Sequence, residues 1–313
     1  MAVVSVTAAM LADPVTLGDN DHAAVVAAMR SGSDFYGLIG GIVPAGAFAG
    51  RLIPLPTLAL VEMVARAFGT VVLLCGVLAA VLLVGWDRLG EVFADKRGRV
   101  LGALMLLGGT TATALLVIAE PHAGWCALLA GWSLLLRRRG RWIEAAAIAC
   151  IAATIDPSAI VLALVMGAAA WHEGERREGL GWLIVITVTG VAWAAHCVAL
   201  GRVGLGAVAD GAQIGPFDMV AAAFLPMMPP ALAAAALVIA IVGWSVVRGT
   251  LAVRTAAVAV VSPMIAYVPG MQSAAALALT LLPLGLVFAV EAGALLATAA
   301  ISRRRITVTR VTR

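Results

Sequence analysis

Carboxylates and imidazoles stand close together at only a few places in this chain. Asp19-Asn20-Asp21-His22 is the densest polar group. One Asp of such a pair can cap the short helix expected at Ala23–Met29 while the other serves as general base or metal ligand; a solvated loop with a helix cap is the other reading. Glu120-Pro121-His122 sets an acid and an imidazole on either side of a proline, and Asp156 precedes Pro157. Both are ordinary turn chemistry as well as candidate acid–base groups. Arg51 and Arg202 read either as cations that hold a phosphate by paired hydrogen bonds or as surface arginines with their stems on apolar surface. Glu62 and Arg66, four apart, are expected to share a helix face and pair. His196 reads as a packed or interfacial imidazole. Glu291 reads as a group hydrogen-bonded inside a bundle.

Long apolar runs must position these groups. The chain has 313 residues, of which 63% are hydrophobic and only 12% charged. Its mean hydropathy is +1.05. A soluble domain of this size has no way to hide so much apolar surface, so the expected class is an all-α, polytopic transmembrane helix bundle. The runs are continuously apolar and lack the period of two that a barrel strand needs. No basic patch is interleaved with aromatics, which excludes nucleic acid as a partner. The net charge of +4 points instead to membrane lipid.

Basic residues recur between every second apolar run: Lys96–Arg99, Arg137–Arg141, Arg176–Arg177, Arg248–Arg254 and Arg303–Arg313. The alternate connections carry acids, His, Pro and Gly. Lys and Arg mark the cytoplasmic side. This places the C-terminus in the cytoplasm and the acidic loops outside a bacterial inner membrane. Arg137–Arg141 and Arg176–Arg177 then lie on one side, so the apolar residues between them must fold back at Asp156-Pro157, where proline stops the helix. The same argument folds Val100–Leu136 at Glu120-Pro121-His122 and Thr255–Ala300 at Pro269-Gly270.

The expected spans are Thr57–Trp86, Val100–Ile118, Gly124–Leu136, Trp142–Ile155, Ser158–Trp171, Leu180–Val198, Ala231–Val247, Thr255–Val268 and Ser273–Ala300. That is nine spans, or ten if Met1–Ala12 is the stub of another helix. Residues 1–56 form that stub and a first external acidic loop, 57–302 the bundle, and 303–313 a basic tail. Gly32–Pro56 reads as loop, and Phe217–Met228 as an interfacial segment. The arms of the Asp156 hairpin, about fourteen residues each, rise only about 21 Å. That is short of the ~30 Å hydrocarbon core. Their tip should therefore lie below the outer surface, in a recess with Glu120, His122 and Asp156 near its floor.

The four cysteines each lie in an apolar run without a CxxC pair and read as small packed hydrophobes. No P-loop, HExxH, GxSxG or zinc-type Cys/His spacing occurs, which disfavours an ATP-driven pump, a zinc protease and a serine hydrolase. No metal ligand set is assigned. A divalent cation stays open as a cofactor.

Three segments resemble the bacterial type-C glycosyltransferases, polytopic enzymes that transfer a sugar from a polyprenyl-phosphate carrier on the outer face. Gly18–His22, Ala27–Arg30, Phe35-Tyr36 and Arg51-Leu-Ile-Pro-Leu-Pro-Thr57 are similar to that family's first acidic loop and its entry into the next span. Glu120-Pro-His-Ala-Gly-Trp125 with Leu134-Leu-Leu-Arg-Arg-Arg-Gly-Arg-Trp142 is similar to a family hairpin arm. Ala169–Arg177 is similar to a family inner loop. The resemblance implies an inverting transfer from a polyprenyl-phosphate sugar donor. Asp19 or Asp21 would orient or deprotonate the acceptor, with Asp156 as a further acid. His22, Tyr36, Arg51, Glu120, His122 and Arg202 would bind substrate. Where the family carries an Arg-Glu pair, this chain has Ile155-Asp156-Pro157. The alternatives are a truncated or degenerate relative acting as a non-catalytic scaffold, or a transporter or flippase for a lipid-linked solute in envelope polysaccharide assembly.

Overall fold

The structure is a computed structural model and describes residues 19–45, 51–93, 95–209, 230–247 and 249–301. Every regular element among them is helical. In chain order these are α1 (Asp19–Arg30), α2 (Phe35–Ile42), α3 (Thr57–Val92), α4 (Lys96–Ala119), α5 (Pro121–Leu136), α6 (Ile143–Ile155), α7 (Ile160–His172), α8 (Arg176–Arg202), α9 (Pro230–Val246), α10 (Thr250–Ile265) and α11 (Gly285–Ile301). Helices α3, α4 and α8 are long and apolar enough to cross a membrane. The expected N-terminal stub, the interfacial segment 217–228 and the basic tail lie outside the described residues.

Proline and capping side chains set the element boundaries. The Asp95 carboxylate accepts from Gly98 N at 2.8 Å and starts α4. Pro121 occupies the first turn of α5, where its missing N–H costs no helical bond. Asp156 ends α6, and its Oδ1 accepts from Ser158 N at 2.9 Å to open the next turn. The hairpins expected at Glu120 and Asp156 therefore exist. Helix α5 runs through the middle of the bundle, and nearly every residue from Ala123 to Leu135 is buried. Much of α3 is the opposite, with Phe68 82% and Val64 77% exposed. An apolar helix face left open this way suits a lipid neighbour.

Four expectations are corrected. Gly32–Pro56 is not all loop, because Asp34 caps α2 through Gly37 N at 2.9 Å. Cys75 and Cys197 are exposed, while Cys126 is buried. Glu291 lies on the exposed side of α11 and does not point into the bundle. The segment Ser273–Ala300 is not one continuous helix. Short 3-10 turns run over Gln272–Ala276 and Leu282–Leu284, and the α-helix begins only at Gly285. Pro283 explains the break, since it offers no N–H and crowds the carbonyl four residues earlier. The broken stretch is buried, and its backbone is held by i→i+3 bonds such as Leu277 N to Ala274 O at 3.1 Å. Trp244 Nε1 donates to Leu281 O at 3.1 Å. Thr280 Oγ1 donates to Ala127 O at 3.1 Å. Glycine makes this packing possible. A Cβ at Gly109 would lie 2.1 Å from Thr280 O, and one at Gly243 would lie 1.8 Å from Gly285 O.

The bundle has two chemically distinct ends. At the basic end, Arg137 just beyond α5 and Arg254 of α10 close on Glu173 after α7 and Glu178 of α8. Arg137 meets Glu178 at 2.8 Å, Arg254 meets Glu178 at 2.7 Å, and both meet Glu173 at 3.0 Å. At the acidic end lie the first loop, the Glu120 and Asp156 turns and the last turns of α8.

Candidate functional site

Three contacts assemble the acidic end. The first joins α1 to α3 and α5. His22 is buried, and its Nε2 lies 3.0 Å from Glu62 Oε2. A carboxylate oxygen accepts, so Nε2 carries the proton. The His22 ring meets the His122 ring edge-on at a centroid distance of 4.7 Å. Two imidazoles a hundred residues apart in sequence thus share one contact. Arg30, at the end of α1, donates to the Glu62 carbonyl at 2.7 Å and fixes the same junction.

The second contact is a two-pronged ion pair. Arg51 Nη2 donates to Glu120 Oε1 at 2.6 Å, and Nη1 donates to Oε2. The chain around Arg51 is in turn clamped by backbone. Ile53 N donates to Ala207 O at 2.9 Å and Ala209 N to Arg51 O at 3.0 Å, while Arg51 also bridges Gly270. The first loop, the loop after α8 and the Pro269-Gly270 turn therefore meet over the tip of α5.

The third contact binds α2 to α8. Tyr36 Oη lies 3.0 Å from His196 Nδ1, and His196 Nε2 lies 3.1 Å from Ile53 O. A carbonyl only accepts, so His196 carries its proton on Nε2, and Tyr36 donates to Nδ1. Burial, and then the nearby Asp34 carboxylate, push the Tyr36 phenol above its ordinary range. Both effects keep it protonated as the donor. Trp193 stands one turn before His196 and donates to Ala153 O at 2.9 Å, which ties α8 to the end of α6 beside Asp156.

Some of the sequence-predicted site residues touch one another here. His22 and His122 touch, Arg51 and Glu120 pair, and Tyr36 reaches α8. Asp156 is buried at 8% exposure. Its Oδ1 accepts from both Ser158 N and Ser158 Oγ, the latter at 2.5 Å. Ser158 Oγ also lies 3.9 Å from Cys126 Sγ, one helical turn beyond His122. Asp19 and Asp21 lie in the first turn of α1, one turn or less from His22; their side chains are outside the described residues. Arg202 ends α8, is exposed and joins none of these contacts among the described residues. Arg51 is not a free cation, because Glu120 already holds it.

Two partners escaped the sequence-predicted set. Glu62 was expected to pair with Arg66 but bonds His22 instead. The cause is backbone: Arg66 has φ 57° and ψ 177° inside α3. That kink removes the i,i+4 neighbourhood on which the pairing rests. His196 was read as packed, which it is, but packing also makes it the hinge between Tyr36 and the first loop. Its place near the end of an apolar run was the only signal for this. Among the described residues, no set of three His, Cys, Asp or Glu side chains converges as a metal site.

No family model, no curated protein and no solved structure matches this chain.

Proposed function

We propose that the acidic end is the active centre of a membrane glycosyltransferase of the type-C kind, built on nine to ten spans in a bacterial inner membrane with its C-terminus in the cytoplasm. The sugar comes from a polyprenyl-phosphate carrier on the outer face. One observation carries this reading. The His22–His122 contact seats α1, with Asp19 and Asp21 in its first turn, on the Glu120-Pro121-His122 turn. Two of the segments that resemble the family thereby come together at the end of the bundle that carries the acids.

The chemistry follows from the groups present. A first-loop carboxylate takes the proton of the acceptor hydroxyl as its oxygen forms a bond to the anomeric carbon. The bond from that carbon to the phosphate oxygen breaks, and polyprenyl phosphate leaves with the electron pair. Arg202, an exposed cation at the same end, is the group this reading assigns to the leaving phosphate. Arg51 and Glu120 hold the first loop over the site, and Asp156, which is buried, supplies a further acid.

The test is a cell-surface glycan assay on Asp19→Ala, Asp21→Ala and Asp156→Ala at equal protein level. Loss of the glycan in at least one first-loop variant is expected; retention in all three ends the enzyme reading. Cysteine accessibility at position 156 checks the orientation, and labelling only from the cytoplasm would contradict it. A flippase is the second reading, motivated by the broken, buried stretch before α11, since transporters carry such segments near mid-membrane. It predicts that the aspartate variants keep the glycan while Thr280→Val, at the break, loses it.

A further inference from the structure

A second charged feature lies beside the acidic end, next to the α1–α3 junction that the Arg30 bond to the Glu62 carbonyl fixes. Arg30 and Arg66 flank an open depression of about 460 Å³ whose remaining walls are Met29, Met63 and Ala67. Both arginines are exposed. Neither forms an ion pair among the described residues: Glu62, near Arg66 in sequence, is engaged by His22, and Asp34, near Arg30, caps α2. Two guanidinium groups thus share a pocket with methionine walls and, among the described residues, no counter-charge.

Depth along α3 says what supplies that charge. Trp86 and Asp87 mark the basic-end interface. The Arg99 guanidinium stacks on the Trp86 ring at 4.2 Å and donates to Trp86 O at 2.9 Å. Aromatic and cationic anchors of this kind sit at headgroup level. From Trp86 back to Arg66 a helix rises about 30 Å at about 1.5 Å per residue. That distance equals the ~30 Å thickness of the hydrocarbon core. Arg66 therefore stands at the opposite headgroup level, where lipid phosphates lie. On its hydrocarbon side Phe68 is 82%, Val71 57% and Val72 53% exposed, as acyl-chain neighbours would be. The kink at Arg66 marks the point where α3 leaves the hydrocarbon.

We propose that Arg30 and Arg66 hold the phosphodiester of a bilayer glycerophospholipid, with its acyl chains along Phe68 and Val71. The site is separate from the proposed catalytic groups and does not depend on them. Native mass spectrometry of the full chain in neutral detergent, titrated with phosphatidylglycerol, reads the first bound lipid. Arg30→Gln/Arg66→Gln is expected to weaken that first equivalent roughly tenfold or more, since each charge-assisted bond lost is worth about as much. Arg139→Gln, an exposed arginine at the basic end, is the control and leaves it unchanged. Diacylglycerol, which lacks phosphate, and inorganic phosphate, which lacks acyl chains, are expected not to fill the site. Wild-type affinity in the double variant overturns the proposal. So does inorganic phosphate competing on equal terms with the lipid, which would make this a solute-anion site. If the double variant does not fold, Arg66→Gln against Arg66→Lys decides: loss in the first with retention in the second is expected, and equal binding by both overturns it.

Discussion

At the basic end Arg137, Arg254 and Glu178 close on one another away from water with Glu173 at their open edge, whereas at the acidic end the bonds run between loops and helix tips and the ion pair stays partly open on both sides. Arg137 and Arg254 are each 1% exposed. The Arg51–Glu120 pair keeps 27% and 15% side-chain exposure. The basic network is balanced, two guanidinium groups against two carboxylates, and spans α5, α8, α10 and the turn after α7. Burial lowers the Arg137 proton affinity, but the Glu178 and Glu173 carboxylates more than restore it and hold it above its ordinary range. Such a network locks helix ends in place. The acidic end is assembled from imidazoles, a phenol and one half-open ion pair.

Breaking the basic network should have the largest effect. Glu178→Ala leaves two buried guanidinium groups short of a partner and is expected to cost about 3–5 kcal/mol. A thermal melt in detergent reads it, and a shift no larger than that of a surface variant would remove the lock from the comparison. Arg254→Ala in the same background restores charge balance. The double variant should therefore lose less than the sum of the singles, measured as a double-mutant cycle.

Next in size is Gly243→Ala, which forces a methyl against Gly285 O and should cost about 1–3 kcal/mol by overpacking. It tests whether the α9–α11 crossing, which rests on apolar packing alone, is as tight as the basic lock. At the acidic end Arg51→Gln should cost only about 1 kcal/mol or less, because the pair is partly solvated. On the enzyme reading the same change should sharply reduce the surface glycan. Stability lost without glycan lost would show that the two ends do the same job.

The smallest effect is at Tyr36. Tyr36→Phe removes one hydrogen bond, worth about 0.5–1.5 kcal/mol. The Tyr36 phenol is raised above its unfolded value, so the stability it contributes is fully present below the ordinary tyrosine range and is lost as pH climbs through the folded value. The chain has two tyrosines, so in a Tyr267→Phe background an ultraviolet titration sees Tyr36 alone. Titration at or below the ordinary value would contradict its burial against His196.

Hydropathy and proline position made much of the fold legible in advance. The turns at Glu120-Pro121 and Asp156-Pro157, and the helices on either side of them, follow from local rules about where a helix must stop. Chain order also separated the basic connections from the acidic ones. Site membership was legible in part, because acids and imidazoles are rare here and fall on one set of loops. Their partners were not. The Tyr36–His196 bond joins residues 160 apart, and nothing in the composition of either segment encodes that distance. The sequence also gave no sign that Arg137, in a run of arginines, would be buried while Arg139 stays exposed.

The amino-acid order alone thus determined that this is a helical membrane chain, where its hairpins turn, and which residue types gather at each end. Those properties depend on neighbours along the chain and on transfer of side chains from water. Only the tertiary structure decided that Glu62 meets His22 and not Arg66, that four charges at the basic end close on one another, and that the segment before α11 is broken. Each of those outcomes turns on backbone dihedrals and on contacts between distant segments, and no local rule contains them.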